Sequence, residues 1–269
     1  MFGKLKQSKI TQLLLIILIA WIILAIIFGF TDLEISKAVV DETSSWGHFG
    51  RVYGEAPGYG VIAVAIATLI GSYNQDIKKQ KIPAYIIIII GFLLLVFGII
   101  FSSEDLVLDG GAIVICLVIF IIATFNKDWT NYRNLSAIIT ILAIINPLLF
   151  VQITKVLCGR VRFEDLAPGF TDYTPWFLPP GPSSDGRSFP SGHTAMGWMV
   201  LPLLITVKNK KWTNPYKIIV FILVLGWGIF VGLSRIILGA HYASDVLFST
   251  GAAAIITVYF YKKIYLNRS

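Results

Sequence analysis

The sequence predicts an all-α protein that crosses a membrane several times as a bundle of helices. Of its 269 residues, 56% are hydrophobic and only 14% are charged, and the mean hydropathy is +0.78. A soluble domain carries about 25% charged residues, so this chain lacks the polar surface that water requires. The apolar residues also form long runs, and most basic residues lie between those runs. These three observations indicate that lipid solvates most of the chain.

Eight apolar runs are candidates for membrane-spanning helices, within a range of six to eight. A helix needs about 20 apolar residues to cross a hydrocarbon core of about 30 Å, and most of the runs approach that length. The first run is longer than the apolar core of a signal peptide and lacks a small-residue cleavage pattern, so we expect a retained signal anchor. The runs are 10–30, 58–74, 84–101, 107–125, 135–154, 193–207, 217–235 and 244–261.

The distribution of basic residues predicts the orientation of the spans. If the N-terminus is cytoplasmic, the inside segments hold 15 of the 22 Lys and Arg residues but only two acidic residues, Asp76 and Asp128. Basic residues in short loops stay on the cytoplasmic side. We therefore expect a multi-pass protein of the cell membrane with both termini cytoplasmic. The net charge of +7 arises largely in these loops and does not indicate a nucleic-acid partner.

Three polar patches occur at the ends of successive late spans, all on the predicted outside face. The first, Lys155–Arg162, leaves the fifth span, and the second, Ser188–His193, enters the sixth. The third, Ser234–Asp245, connects the seventh span to the eighth. Packing of these spans would bring the three patches together at one membrane surface.

The residue types in these patches suit the chemistry of a phosphate ester. Lys155, Arg162 and Arg235 supply positive charge for a group that carries up to two negative charges, and guanidinium forks match phosphate oxygens. His241 and Asp245 are four residues apart, so both lie on one face if the eighth helix begins at His241. The carboxylate can then fix the imidazole tautomer and leave the other ring nitrogen free to attack phosphorus.

The second patch supplies the remaining groups that such a reaction needs. His193 can protonate the departing alkoxide as a general acid. Ser191 and the Gly192 amide, at the start of a helix, can donate hydrogen bonds to an anionic oxygen. Ser191 can also act simply as the helix N-cap, a role that is compatible with phosphate binding.

The three patches resemble the signature of the type 2 phosphatidic acid phosphatase (PAP2) superfamily, which runs K-x6-R-P, then P-S-G-H, then S-R-x5-H-x3-D. The second and third parts match in full, whereas Phe163 stands where the first part has proline. The resemblance covers about 155–245 by motif and 135–261 by span order. It implies a reaction without a metal or other cofactor, through a phosphohistidine at His241.

The expected protein is a membrane lipid phosphatase that acts at the extracytoplasmic face on a phosphomonoester or the terminal phosphate of a diphosphate. Undecaprenyl diphosphate, phosphatidate and phosphatidylglycerophosphate all fit, and the expected partners are this lipid phosphate and the bilayer. Residues 135–269 would form the PAP2-like catalytic core. Residues 1–134 would be N-terminal transmembrane helices without an assigned role.

Other functions stay open from the sequence. His241 could transfer the phosphoryl group to a second lipid or sugar, or the chain could be a transporter or a catalytically silent membrane protein. The absence of ionisable residues near the middle of the predicted spans disfavours coupled transport. A metal site made of His193, His241 and Asp245 is disfavoured by the three cations around it. Arg160 and Arg187 are interpreted as solvated loop charges.

Overall fold

The computed structural model describes the backbone of residues 2–266 and the side chains of residues 7–266. Within that range, every regular element is a helix, as the sequence predicts. The ten α-helices found there are α1 Phe2–Val39, α2 Ser45–Tyr53, α3 Ala56–Gly71, α4 Ile82–Ile100, α5 Glu104–Thr124, α6 Arg133–Ala143, α7 Gln152–Cys158, α8 Gly192–Gly197, α9 Pro215–Ile237 and α10 Ala243–Tyr261.

Several of these helices join into longer membrane-spanning segments. Seven segments of the described chain are long and apolar enough to cross a membrane: Gln7–Val39, Ser45–Gly71, Lys79–Ile100, Glu104–Thr124, Trp129–Asp165, Pro215–Ile237 and Ala243–Leu266. An eighth apolar helical segment, Gly192–Val207, is shorter. Each of the eight predicted runs overlaps one of these segments, and the predicted all-α membrane bundle is confirmed.

The segment 31–57, between the first two predicted runs, is largely helical. Helix α1 continues to Val39, and α2 then begins at Ser45, where the Ser44 hydroxyl caps it by accepting the Gly47 amide at 3.4 Å. Helix α2 packs against the end of α9, with Gly47 beside Leu238. A nine-residue helix with mixed polarity gives no long apolar run, so the search for spans could not detect it.

Small residues allow the helices to pack closely in the first half of the chain. A Cβ on Gly110 of α5 would lie 2.5 Å from the carbonyl oxygen of Gly91 on α4, so only glycine permits this approach. In the second half, a buried cluster that includes Leu142, Met199 and Ala253 joins α6, the 3-10 segment Trp198–Val207 and α10. That cluster fixes the helices whose ends carry the three motifs.

A π-helical segment, Ile144–Val151, connects α6 to α7 and sets the direction of α7. Pro147 lies inside it and cannot donate a backbone hydrogen bond, which favours a locally widened helix. The buried Asn146 side chain donates to the Ser249 carbonyl at 3.2 Å and ties the segment to α10. The division into 1–134 and 135–269 stays a prediction, and side chains from the first part contact the second, as described below.

Candidate active site

The three motifs meet where α7 ends, α8 begins and α9 passes to α10. They border a cavity of about 930 Å³ whose lining includes Arg162, His193 and Arg235. The Lys155 ammonium points toward the start of α8, because a Cβ on Gly192 would lie only 3.5 Å from Nζ. Sequence positions spread over about 90 residues therefore contribute to a single site.

Arg235 is a buried cation without a protein partner for two of its nitrogens. The residue is 5% exposed, and among the described residues nothing accepts a hydrogen bond from Nε or Nη1. A buried guanidinium in this state is costly, and buried polar groups are nearly always paired. Because Arg235 lines the cavity, an anion that binds there could accept from it. Arg162 is more open and pairs with Glu164 at 3.2 Å.

His241 is held in a buried pocket beside Asp245. The ring is 2% exposed, and its Nδ1 lies 3.5 Å from Asp245 Oδ2, which is longer than a normal hydrogen bond. The His241 amide donates to the Arg235 carbonyl at 3.2 Å, so the two motif residues are tied through the backbone. His241 and Asp245 thus lie together, with the carboxylate on the Nδ1 side. They do not share a helix face as the sequence predicted, because α10 begins only at Ala243 and His241 precedes it.

Burial controls the protonation of His241. Removal from water lowers its pKa to about 4, although the Asp245 carboxylate acts in the opposite direction. The imidazole is therefore neutral near pH 7. A neutral ring with Nδ1 facing a carboxylate leaves Nε2 as the nitrogen that carries a lone pair.

Asp245 is fixed by donors from several elements. Its Oδ2 accepts the Ser188 hydroxyl at 2.5 Å and the Tyr242 amide at 2.9 Å, while Oδ1 accepts Arg160 Nη1 at 2.7 Å. The carboxylate is completely buried. Its orientation toward His241 is therefore determined by the surrounding protein rather than by solvent.

Arg160 forms the centre of a buried ion-pair network, so its interpretation as a solvated loop charge was wrong. It is 1% exposed and pairs with Asp245 on one side and with Asp32 of α1, at 3.0 Å from Nη2, on the other. Asp32 also accepts the Ser244 amide at 2.9 Å and the Ser244 hydroxyl. The other loop arginine, Arg187, is exposed as expected.

Ser191 has the capping position that the sequence allowed. Its hydroxyl accepts the Thr194 amide at 3.3 Å and the Thr194 hydroxyl at 2.8 Å, and Ser191 immediately precedes α8. The Ser191 amide donates to the Asp245 carbonyl at 3.2 Å, so the start of α8 is anchored on α10. This places His193 in the lining of the cavity, next to Gly192 at the start of α8.

Two acidic residues from the first half of the chain reach the site, and sequence reasoning missed both. Asp32 belongs to the Arg160 network, and Glu55 Oε1 lies 3.0 Å from His193 Nδ1. Each follows an apolar or glycine-rich stretch and has no spacing relation to the motif that it contacts. Within the described residues, no three His, Cys, Asp or Glu side chains form a group that could hold a metal ion.

Comparison with known proteins identifies the family. A sequence model described as the PAP2 superfamily matches residues 135–269, which is half of the chain. The chain belongs to the PAP2 superfamily. All eight residues that the motifs single out lie within the matched PAP2 region, whereas Asp32 and Glu55 lie outside it.

One curated PAP2-type relative is the phosphatidylglycerophosphatase B of Bacillus subtilis (strain 168). It is 38% identical over 68 residues, an alignment that covers 24% of this chain and 34% of the relative. The chain therefore matches about a third of the length of that relative. No solved structure matches the chain.

Proposed function

We propose that this protein is a membrane lipid phosphatase that hydrolyses a phosphomonoester or the terminal phosphate of a lipid diphosphate. The observation that carries the proposal is Arg235, a buried guanidinium that lines the cavity with two nitrogens unpaired among the described residues. Lys155 and Arg162 add positive charge beside it. A dianionic phosphoryl group supplies oxygens that can accept hydrogen bonds from these cations. Cations already in place also stabilise the negative charge that develops as the phosphoryl group is transferred.

In the first chemical step, His241 attacks phosphorus. Nε2 forms a P–N bond while the bond between phosphorus and the ester oxygen breaks, and the electron pair of that bond leaves with the oxygen. His193 donates a proton to the departing oxygen, so the lipid leaves as a neutral alcohol. Asp245 supports the positive charge that develops on the His241 ring.

In the second step, water attacks the phosphohistidine. His193, now neutral, removes a proton from the water, the P–N bond breaks, and inorganic phosphate forms as the His241 ring becomes neutral again. Arg162, Arg235, Lys155 and the Gly192 amide hold the phosphoryl oxygens through both steps, and Ser191 fixes that amide by capping α8. No metal ion or other cofactor takes part in this scheme.

A lipid is the favoured substrate because an apolar groove lies beside the phosphate site. The groove has a volume of about 420 Å³ and runs between α3 and the π-helical segment Ile144–Val151. Glu55 and Gly192 lie in its lining together with Ile62, Ile66 and Leu148. An acyl or prenyl chain can occupy the groove while its headgroup phosphate reaches the cations.

The candidate substrates are phosphatidylglycerophosphate, phosphatidate and undecaprenyl diphosphate. The name of the relative makes phosphatidylglycerophosphate the first to test. The basic inside segments support an extracytoplasmic site with both termini cytoplasmic, and residues 135–269 would be the catalytic core. The site lies at the ends of the helices, where a headgroup at the membrane surface would present its phosphate.

The test is phosphate release from these three lipids by purified protein in detergent with EDTA present. Wild type should release phosphate, and His241→Ala should release none, because it lacks the nucleophile. His48→Ala is the matched control, since His48 is an exposed histidine in the lining of the 930 Å³ cavity and its Nε2 bonds the Glu42 carbonyl. Loss of wild-type activity with EDTA, or retention of it in His241→Ala, would overturn the proposed mechanism.

A further inference from the structure

Glu55 lies at the elbow between α2 and α3, directly beside the second histidine of the site. Its Oε1 is 3.0 Å from His193 Nδ1, and both side chains are mostly buried, with 25% and 32% exposure. Neither the PAP2 motifs nor the matched region includes Glu55. The contact therefore joins the N-terminal helices to the residue that the mechanism uses as general acid.

The packing around the elbow fixes the position of this carboxylate. A Cβ on Gly58 would lie 2.5 Å from the carbonyl oxygen of Met196, so the first turn of α3 rests directly on α8. Helix α8 begins at Gly192 and carries His193 in its first turn. On the other side of the elbow, the Gly54 amide donates to the Gly50 carbonyl at 3.0 Å and continues the helical path of α2. Glu55 and His193 consequently stand on two helices in backbone contact.

The geometry assigns Glu55 a positioning role that rests on the function proposed above: we propose that Glu55 holds His193 through Nδ1, so that Nε2 presents its proton to the leaving oxygen. A carboxylate on one ring nitrogen selects the tautomer and orients the ring. Each histidine of the site is thereby supported on Nδ1 by a carboxylate, His241 by Asp245 and His193 by Glu55.

The role predicts a defect that depends on the leaving group. An alkoxide needs a proton to leave, whereas 4-nitrophenolate leaves without one. Glu55→Gln keeps the shape of the side chain and removes its charge. We expect kcat/KM to fall about 100-fold for dioctanoyl phosphatidate and by no more than about 3-fold for 4-nitrophenyl phosphate, in line with the usual contribution of a general acid.

The matched control is Glu104→Gln, which removes the same charge from the lining of the cavity that His193 also lines. It should reduce both rates to a similar and small extent. His193→Gln should reproduce the leaving-group pattern of Glu55→Gln, because both changes impair the same proton transfer. Misfolded protein lowers both rates by the same factor, so the ratio of the two rates reflects only the properties of the folded protein.

Equal losses for the two substrates in Glu55→Gln, or no loss for either, would overturn the role of Glu55 and leave the phosphatase proposal intact. A wild type that releases phosphate from neither substrate nor from the three membrane lipids would instead overturn the phosphatase proposal, and the role of Glu55 with it. A loss confined to dioctanoyl phosphatidate in Glu55→Gln and His193→Gln, and absent in Glu104→Gln, supports the proposal.

Discussion

Replacement of Arg160 by glutamine tests whether the buried ion-pair network holds the site together. Arg160 contacts Asp32 and Asp245, its Nε donates to the Thr174 carbonyl at 2.9 Å, and its guanidinium stacks 3.9 Å from the Tyr242 ring centroid. Glutamine cannot neutralise either carboxylate. The variant leaves two buried, like-charged groups close together without their shared cation.

The magnitude follows from the burial of all three groups. Both carboxylates are 0% exposed, and the arginine side chain is 1% exposed, so solvent cannot screen the loss. Removal of one partner from a buried ion pair costs about 3–5 kcal/mol. For a chain of this size, that loss corresponds to a decrease in the unfolding midpoint of about 10 °C. Phosphate release should also fall, because Asp245 loses one of the donors that orient it toward His241.

Thermal unfolding in detergent, followed by tryptophan fluorescence, measures the effect. Arg187→Gln is the matched control: Arg187 is exposed and contacts only the backbone carbonyls of Ser184 and Gly186. The free energy of unfolding of Arg187→Gln should differ from that of wild type by no more than about 0.5 kcal/mol. Adding Asp32→Asn to Arg160→Gln should recover part of the loss, since one uncompensated charge disappears. An Arg160→Gln midpoint equal to that of Arg187→Gln would refute the reasoning.

Three further predictions concern the reaction itself. Arg235→Lys should lower kcat/KM about 100-fold, because an ammonium keeps the charge but loses the planar fork, and an unchanged value would show that Arg235 does not hold the phosphoryl group. The pH profile of kcat/KM should show the acid limb due to His241 near pH 4, since burial lowers the pKa of His241 from 6.5 to about 4. An acid limb near pH 6.5 that persists when residues other than His241 are substituted would contradict this. Asp245→Asn should shift the limb of residual activity to still lower pH, because the Asp245 carboxylate raises the pKa of His241, and a shift to higher pH would show that this carboxylate does not stabilise the imidazolium.

The sequence predicted the parts of this protein that depend on local pattern. Apolar runs had to match the helices because a bilayer demands continuous apolar length. His241 and Asp245 do lie together, but His241 precedes α10, so the contact spans the start of the helix and not one helix face. Arg160 gave no such signal. Its partners lie 85 and 128 positions away, and only the packing of α1 against α10 brings them together. The same holds for Glu55, whose neighbour His193 belongs to a different helix.

The two arginines of the site show why residue type alone could not separate support from substrate binding. Arg160 and Arg235 are both buried, and both lie within motif-bearing segments. The guanidinium of Arg160 is saturated by two carboxylates, a carbonyl and the Ser244 hydroxyl, so it has little capacity left for a phosphate. Arg235 lines the cavity, and among the described residues nothing accepts a hydrogen bond from its Nε or Nη1. Asp32 and Asp245 therefore neutralise Arg160, whereas the charge of Arg235 stays available to a bound anion. Asp32, which α1 supplies, is one of the two carboxylates that make this difference. The N-terminal helix thus contributes to the charge balance of the site as well as to the membrane bundle.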